Sequence, residues 1–308
     1  MSNPAAVPRS VTSGHAAPPL GRLHDLGGRR LMLHRSGTGG PTVVFLPGAG
    51  MVGLDLLNVH DLAARHTTSV VYDRGGTGWS DAIQLPRSAG EVVAELRELL
   101  GAAELPAPYL LVGHSLGGGY ARHYAQRFPR EVAALLLMDP AHEDLSAHMP
   151  RQVQEAASQM KDHPMPDLPA EVINAFRLLF EQKFAAWPAP VRDALIAYHT
   201  GQWRIGVHEA SNADDVVYPE LRRAGPMPDV PLIVLTTMGI DEHHTMGMPV
   251  DVQREVNEGK RTVNIALARS VPGAEHRELL DATHTWVHID RPDAVLHAIT
   301  DLMDRVTR

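Results

Sequence analysis

From Leu23 onward, apolar runs of strand length alternate with longer stretches of helical period, the pattern of a mainly parallel sheet covered by helices on both faces. Residues 23–26 and 30–35, parted by Gly27-Gly28, read as a hairpin. Residues 42–46, 69–73, 109–112, 133–138 and 232–236 read as buried strands, and 277–280 as the last one. Ser88-Ala89-Gly90-Glu91 is a capping box, so a helix starts there, and Gly101 is placed to close it. A second helix opens at Leu116: Leu116, Tyr120, Tyr124 and Phe128 recur every four positions as one stripe, and Pro129 ends it. A third begins near Pro292, with Val295, Ile299, Leu302 and Val306 as its buried face.

Between Ala141 and Asp229 the strand rhythm stops. Helical stretches over 171–187, 190–203 and 213–224, punctuated by prolines, take its place. The expected organisation is an N-terminal arm over 1–20, a core formed by 21–140 with 230–308, and an inserted helical cap over 141–229.

Composition narrows the classes. The chain has 308 residues, 44% hydrophobic and 21% charged, enough for a large core. With 28 Lys and Arg against 36 Asp and Glu the formal charge is −8, and no basic block exists to grip phosphates, so a nucleic-acid partner is not expected. No cysteine is present, which removes disulfides, thiolate metal sites and a cysteine nucleophile. No apolar stretch approaches the length of a membrane span, and the first 20 residues, with four prolines, lack the apolar run of a secretory signal. These features lead to the expectation of a cytoplasmic protein without a membrane partner; oligomeric state is not legible.

The sharpest chemical signal is Gly113-His114-Ser115-Leu116-Gly117-Gly118, which follows an apolar run and opens a helix. A G-x-S-x-G turn between strand and helix holds its serine in a strained conformation that exposes Oγ, and flanking glycines remove side chains that would collide. With this elbow in place, the chain from Leu23 to its C-terminus resembles the α/β-hydrolase-fold serine hydrolases, esterase- and lipase-like with a helical cap. Phe45-Leu46-Pro47-Gly48-Ala49-Gly50 is similar to the loop after that family's third strand, with Pro47 where many members carry histidine. Asp73-Arg74-Gly75-Gly76-Thr77-Gly78-Trp79-Ser80 is similar to its glycine-rich segment after the fourth, which reads as a structural turn.

The resemblance implies an eight-stranded, mainly parallel sheet and a Ser–His–Asp constellation. Ser115 would be the nucleophile, and the backbone amides of Ala49 and Leu116 the oxyanion donors. Among 18 histidines, His284 lies where the family places its base, after the last strand and before the final helix; His288 is the rival. Two aspartates compete for the acid. Asp139 ends the sixth strand, 24 residues after Ser115, and is preferred; Asp241 follows the seventh and is the alternative.

Asp241-Glu242-His243-His244 holds metal-type ligands, but adjacent histidines project apart and no H-E-x-x-H spacing occurs, so no metal is expected. No cofactor is implied. Phe176, Phe180, Phe184 and Trp187 share a helical face that either roofs a substrate pocket or packs the cap onto the core; Phe176, Phe180 and Trp286 are the pocket candidates. Ala141-His142-Glu143-Asp144 reads as a solvated hinge. The functional expectation is cleavage of a small, largely apolar carboxylic ester through an acyl-enzyme. The alternatives are another acyl or carbon–carbon bond cleaved on the same residues, or a ligand sensor on this fold with little turnover.

Overall fold

The computed structural model describes residues 17–161, 167–241 and 248–307. Eight strands form one sheet: β1 (Arg22–Asp25), β2 (Arg30–Ser36), β3 (Thr42–Leu46), β4 (Ser69–Tyr72), β5 (Tyr109–His114), β6 (Val132–Met138), β7 (Leu232–Thr237) and β8 (Glu275–Leu279), in the order β1-β2-β4-β3-β5-β6-β7-β8. β1 and β2 pair antiparallel and β2 meets β4 antiparallel, while the remaining pairs are parallel.

The central strands are apolar on both faces because helices cover both. In β5, Tyr109 and Leu111 face one core cluster while Leu110 and Val112 face the other. β6 divides likewise, with Leu135 and Leu137 opposed to Ala134, Leu136 and Met138, as the two-residue side-chain period requires.

The helices are α1 (Leu57–Ala63), α2 (Ala89–Ala102), α3 (Leu116–Arg127), α4 (Arg151–Lys161), α5 (Ala170–Lys183), α6 (Ala189–Gly201), α7 (Arg204–Ala210), α8 (Tyr218–Arg223), α9 (Val250–Arg269), α10 (Val287–Asp290) and α11 (Pro292–Val306). α2 starts on the expected capping box: Ser88 Oγ accepts from the Glu91 amide and Glu91 accepts from the Ser88 amide. Its end departs from expectation. Gly101 stays within the last turn, and the left-handed conformation falls on Glu104 (φ 54°).

Between β6 and β7 the expected stretches over 171–187 and 190–203 correspond to α5 and α6. That over 213–224 is broken into a wide turn, Ala213–Val217, and α8. Leu179, Phe184, Trp187, Val191 and Leu195 from this segment join the same core cluster as Val52, Leu54 and Trp286, and Trp187 Nε1 donates to the Leu54 carbonyl at 2.9 Å. α4, α7 and α9 were not anticipated. Among the described residues, no helix is long and apolar enough to cross a membrane.

Candidate active site

In a parallel sheet the strand C-termini share one edge, and every chemistry-bearing residue gathers there. Ser115 follows β5 with φ 50° and ψ −122°, and Asp139 follows β6 with φ 46°, conformations unfavourable for residues with a Cβ. The elbow's glycines are demanded by crowding: a Cβ on Gly113 would lie 2.6 Å from the Gly117 carbonyl oxygen, and one on Gly117 would lie 2.1 Å from that of Leu46. The Ser115 carbonyl accepts from the Gly118 and Ala141 amides at 2.8 Å, and the Ser115 amide donates to the Met138 carbonyl, so the elbow is held from β6 as well as by its own helix.

Three side chains stand in hydrogen-bond series. Ser115 Oγ is 3.0 Å from His284 Nε2, and His284 Nδ1 is 2.6 Å from Asp139 Oδ2. Only a ring with its proton on Nδ1 satisfies both contacts, donating to the carboxylate and accepting from the hydroxyl. Ser115 is partly accessible, the His284 side chain is 40% exposed, and the Asp139 side chain is fully buried. Burial opposes ionisation of Asp139, but the Lys260 ammonium and the contacts from His284 outweigh it and hold the carboxyl below its ordinary range.

The rival assignments separate by position. His288 is completely buried, neither ring nitrogen has a hydrogen-bond partner among the described residues, and burial followed by the neighbouring His114 lowers its pKa to about 3. Asp241 lies in a cavity wall with its amide donating to Gln253 Oε1 at 3.1 Å, while His284 Nδ1 is bonded to Asp139. Residues 242–244 of the acidic and histidine run lie outside the described residues. Among those that are described, no cluster of three or more His, Asp or Glu stands ready for a metal.

The loop after β3 lies against the elbow, so that a Cβ on Gly48 would sit 3.2 Å from Ser115 Cβ. The Ala49 and Leu116 amides donate to no protein acceptor among the described residues. Around them the loop is clamped. Arg74, buried in the glycine-rich turn, donates Nη1 to the Pro47 carbonyl (2.6 Å) and Nη2 to that of Gly48 (2.7 Å). Glu209 of α7 accepts from Arg74 Nε (2.7 Å) and from the Gly50 amide (2.8 Å). Asp73 accepts from the Gly53 and Trp79 amides, giving this turn the structural part expected of it.

Four supporting residues escaped sequence reading. His114, the variable position of the elbow motif, is buried and kept neutral, its pKa lowered to about 3 by burial and then by His284; its Nε2 donates to the His284 carbonyl at 2.8 Å. Arg74 lay in a segment read only as a turn, and Glu209 had no signal at all. Lys260 Nζ donates to Asp139 Oδ2 at 2.6 Å. Its only trace in the sequence is the spacing of Gln253, Asn257, Lys260 and Asn264 every three or four residues. The run 141–144 is tied down: Glu143 takes a bidentate contact from Arg122 (2.7 and 2.8 Å), which counters burial and brings its carboxyl to about 2.

Among the described residues, one cavity adjoins the elbow and another adjoins the loop after β3. One, about 290 Å³, is walled on its polar part by Ser115, His284, Asp139, Asp241, Gln253, Asn257 and Lys260, and on the rest by apolar residues such as Pro140, Leu145, Met248 and Val256. The other, about 510 Å³, is aromatic, with Phe176, Phe180, Phe184, Trp203 and Trp286 in its wall beside Ala49 and Gly50. Phe180 stacks on Phe184 (centroids 5.9 Å apart) and meets Trp286 edge-on (6.0 Å). All three expected pocket residues lie in this second wall.

Strand order, serine elbow, acid after β6 and histidine after β8 define the α/β-hydrolase architecture. The family model described as "Alpha/beta hydrolase family" matches residues 43–298, and the chain belongs to that family. Its fold is shared with a thermophilic esterase from Thermogutta terrifontis (TM-score 0.61, 19% identity, 90% of this chain and 94% of that one). It is shared equally with the enol-lactonase from Burkholderia xenovorans LB400 (TM-score 0.60, 20% identity, 92% and 99%). In sequence, 99 residues are 39% identical to the pimeloyl-[acyl-carrier protein] methyl ester esterase of Chromobacterium violaceum, covering 32% of this chain and 37% of that protein. The matched stretches span less than half of the first curated relatives, 37%, 14% and 45% of their lengths.

Proposed function

We propose that the protein is a serine hydrolase that cleaves carboxylic esters by acyl transfer through Ser115. The observation that carries this reading is the unbroken series from Ser115 Oγ through His284 to a buried, ionised Asp139. A serine hydroxyl is a weak nucleophile until a base accepts its proton. Ser115 Oγ attacks the ester carbonyl carbon as its proton passes to His284 Nε2; the imidazolium so formed is stabilised by Asp139, which stays ionised throughout. The carbonyl electron pair moves onto oxygen, where the free Ala49 and Leu116 amides are the available donors, a donor of this kind being worth roughly 10² to 10³ in rate. The tetrahedral adduct collapses, the carbon–oxygen bond to the alcohol breaks, and His284 gives its proton to the departing oxygen. Water, deprotonated by the same imidazole, then releases the acid and restores Ser115.

The cavities suggest how an ester lies. The departing oxygen must be within reach of His284, which stands in the smaller cavity beside Asp139, Gln253, Asn257 and Lys260; in this reading the acyl group extends toward the larger, aromatic cavity beside Ala49. This favours a bulky apolar or aromatic acyl group on a small alcohol, a narrower form of the apolar-ester expectation. A lactone, an ester closed on itself, undergoes the same chemistry.

The test is a panel of chromogenic esters and lactones offered to the wild-type protein and to Ser115→Ala. Multiple turnovers by the wild type alone, fastest for aromatic acyl groups, support the reading. Tight binding of a panel member with at most one turnover replaces it with a ligand sensor.

A further inference from the structure

The carboxylate of Asp139 is shared unevenly. His284 Nδ1 (2.6 Å), Lys260 Nζ (2.6 Å) and Thr237 Oγ1 (2.7 Å) all donate to Oδ2, while Oδ1, equally buried, has no hydrogen-bond partner among the described residues. Lys260 is committed to this place. Its ammonium also reaches Thr237 Oγ1 (3.2 Å) and the Thr237 carbonyl (3.3 Å), so each of its three protons has an acceptor, and its side chain is 11% exposed.

The lysine is delivered by a polar seam along the buried face of α9. Asn257 Nδ2 donates to the carbonyls of Met238 and Gly239, Asn264 Nδ2 to Thr236 Oγ1, and Gln253 Oε1 accepts from the Asp241 amide. Four polar side chains at helical spacing thus stitch α9 to the C-terminal end of β7. One of them places a cation 2.6 Å from the oxygen that orients the imidazole.

We propose that Lys260 is a positioning residue for the ester hydrolysis set out above: it fixes the Asp139 carboxylate toward His284 and, by placing a positive charge beside that pair, keeps the imidazole from being over-stabilised in its protonated form. The first part is geometric. Without Lys260, Asp139 keeps only Thr237 besides His284, and its free oxygen can rotate into the emptied space. The second part is electrostatic. An ammonium that shares a carboxylate oxygen with an imidazole disfavours the imidazolium, since like charges at this separation in a partly buried site repel by more than thermal energy. Among the described residues, the other ionisable groups near the pair are His114 from β5, which is neutral, and Asp241 from the segment after β7, and Lys260 is the cation bonded to Asp139.

The experiment compares the pH profile of kcat/KM, with the best ester of the panel, for the wild type, Lys260→Met, Lys260→Arg and Thr237→Val. Removing the charge moves the midpoint of the acidic limb upward by on the order of one pH unit. Lys260→Arg leaves it in place, and Thr237→Val lowers the plateau without moving it. If Lys260→Met is not recovered folded, Lys260→Gln supplies the neutral comparison. The same upward shift is read without substrate from the His284 ring resonances in Ser115→Ala carrying the lysine substitution. Profiles of a folded neutral variant and the wild type that share one midpoint, or a midpoint that moves down, overturn the proposal. An absence of ester turnover in the wild type overturns the reading beneath it, while the resonance measurement still decides the role of Lys260.

Discussion

Glu209→Ala strikes the clamp that holds the loop after β3, whose Ala49 amide is proposed as an oxyanion donor. Glu209 and Arg74 are 4% and 1% exposed in their side chains and meet through two contacts, Nε to Oε1 at 2.7 Å and Nη2 to Oε2 at 2.9 Å. Truncation removes the carboxylate and leaves the guanidinium buried with only the Pro47 and Gly48 carbonyls, and it orphans the Gly50 amide. Breaking a buried pair from one side costs about 3–5 kcal/mol, which for a chain of this size lowers Tm by roughly 10 °C. The loop then loses its anchor on either side of Ala49. The rate falls by an amount bounded by the roughly 10²-fold penalty for deleting an oxyanion donor outright, and it falls in kcat more than in KM because that donor acts on the transition state. Glu209→Gln restores an acceptor for Gly50 without the charge, so its Tm lies between the two. Thermal melts by circular dichroism and steady-state kinetics on one ester read both quantities. A Glu209→Ala protein that melts within about 1 °C of the wild type with unchanged kcat refutes the clamp.

Three further outcomes follow from the same geometry. Asp139→Asn lowers kcat about 10⁴-fold by presenting the wrong tautomer to Ser115, whereas Asp241→Asn changes it by less than about 10-fold; the reverse order in steady-state kinetics removes Asp139 from the assigned place. Phe180→Ala widens the aromatic cavity, so KM for an aromatic acyl ester rises several-fold while that for an acetyl ester does not; an equal effect on both argues that Phe180 only packs the core. Burial brings His60, His114 and His288 each to about 3 in the folded state. Their folded values lie below the unfolded one of about 6.5, so their contribution is complete above that pH and is lost as pH falls toward 3, each by about 2 kcal/mol at pH 5. Urea unfolding at pH 7 and pH 5 measures this, and equal stability at both would contradict it; His288→Leu reduces the loss.

The sheet was legible because its central strands are apolar without interruption. Two-sided burial writes itself into runs such as 109–112 and 133–138, and the elbow glycines mark a turn that nothing larger fits. α9 was hidden by the same logic reversed. Its buried face carries Gln253, Asn257, Lys260 and Asn264 among the apolar residues, so the hydrophobic period that would announce a helix is broken by the residues that serve the site. The choice between Asp139 and Asp241 was beyond local pattern, since both end a strand at the same sheet edge and only the path of the chain to His284 decides which carboxylate it meets. Arg74 and Glu209 are 135 residues apart, and a pair at that separation leaves no periodic trace in either neighbourhood.

The account stands on Ser115 carrying the acyl group between two half-reactions, and trapping that adduct tests it most directly. The wild-type protein, treated with a fluorophosphonate or quenched in acid during turnover of a slow ester, is weighed intact and then mapped by peptide mass spectrometry. One adduct per chain on Ser115, lost in Ser115→Ala and strongly slowed in His284→Ala, is the predicted result. Ester hydrolysis that persists in Ser115→Ala, or an adduct mapped to any other residue, contradicts it.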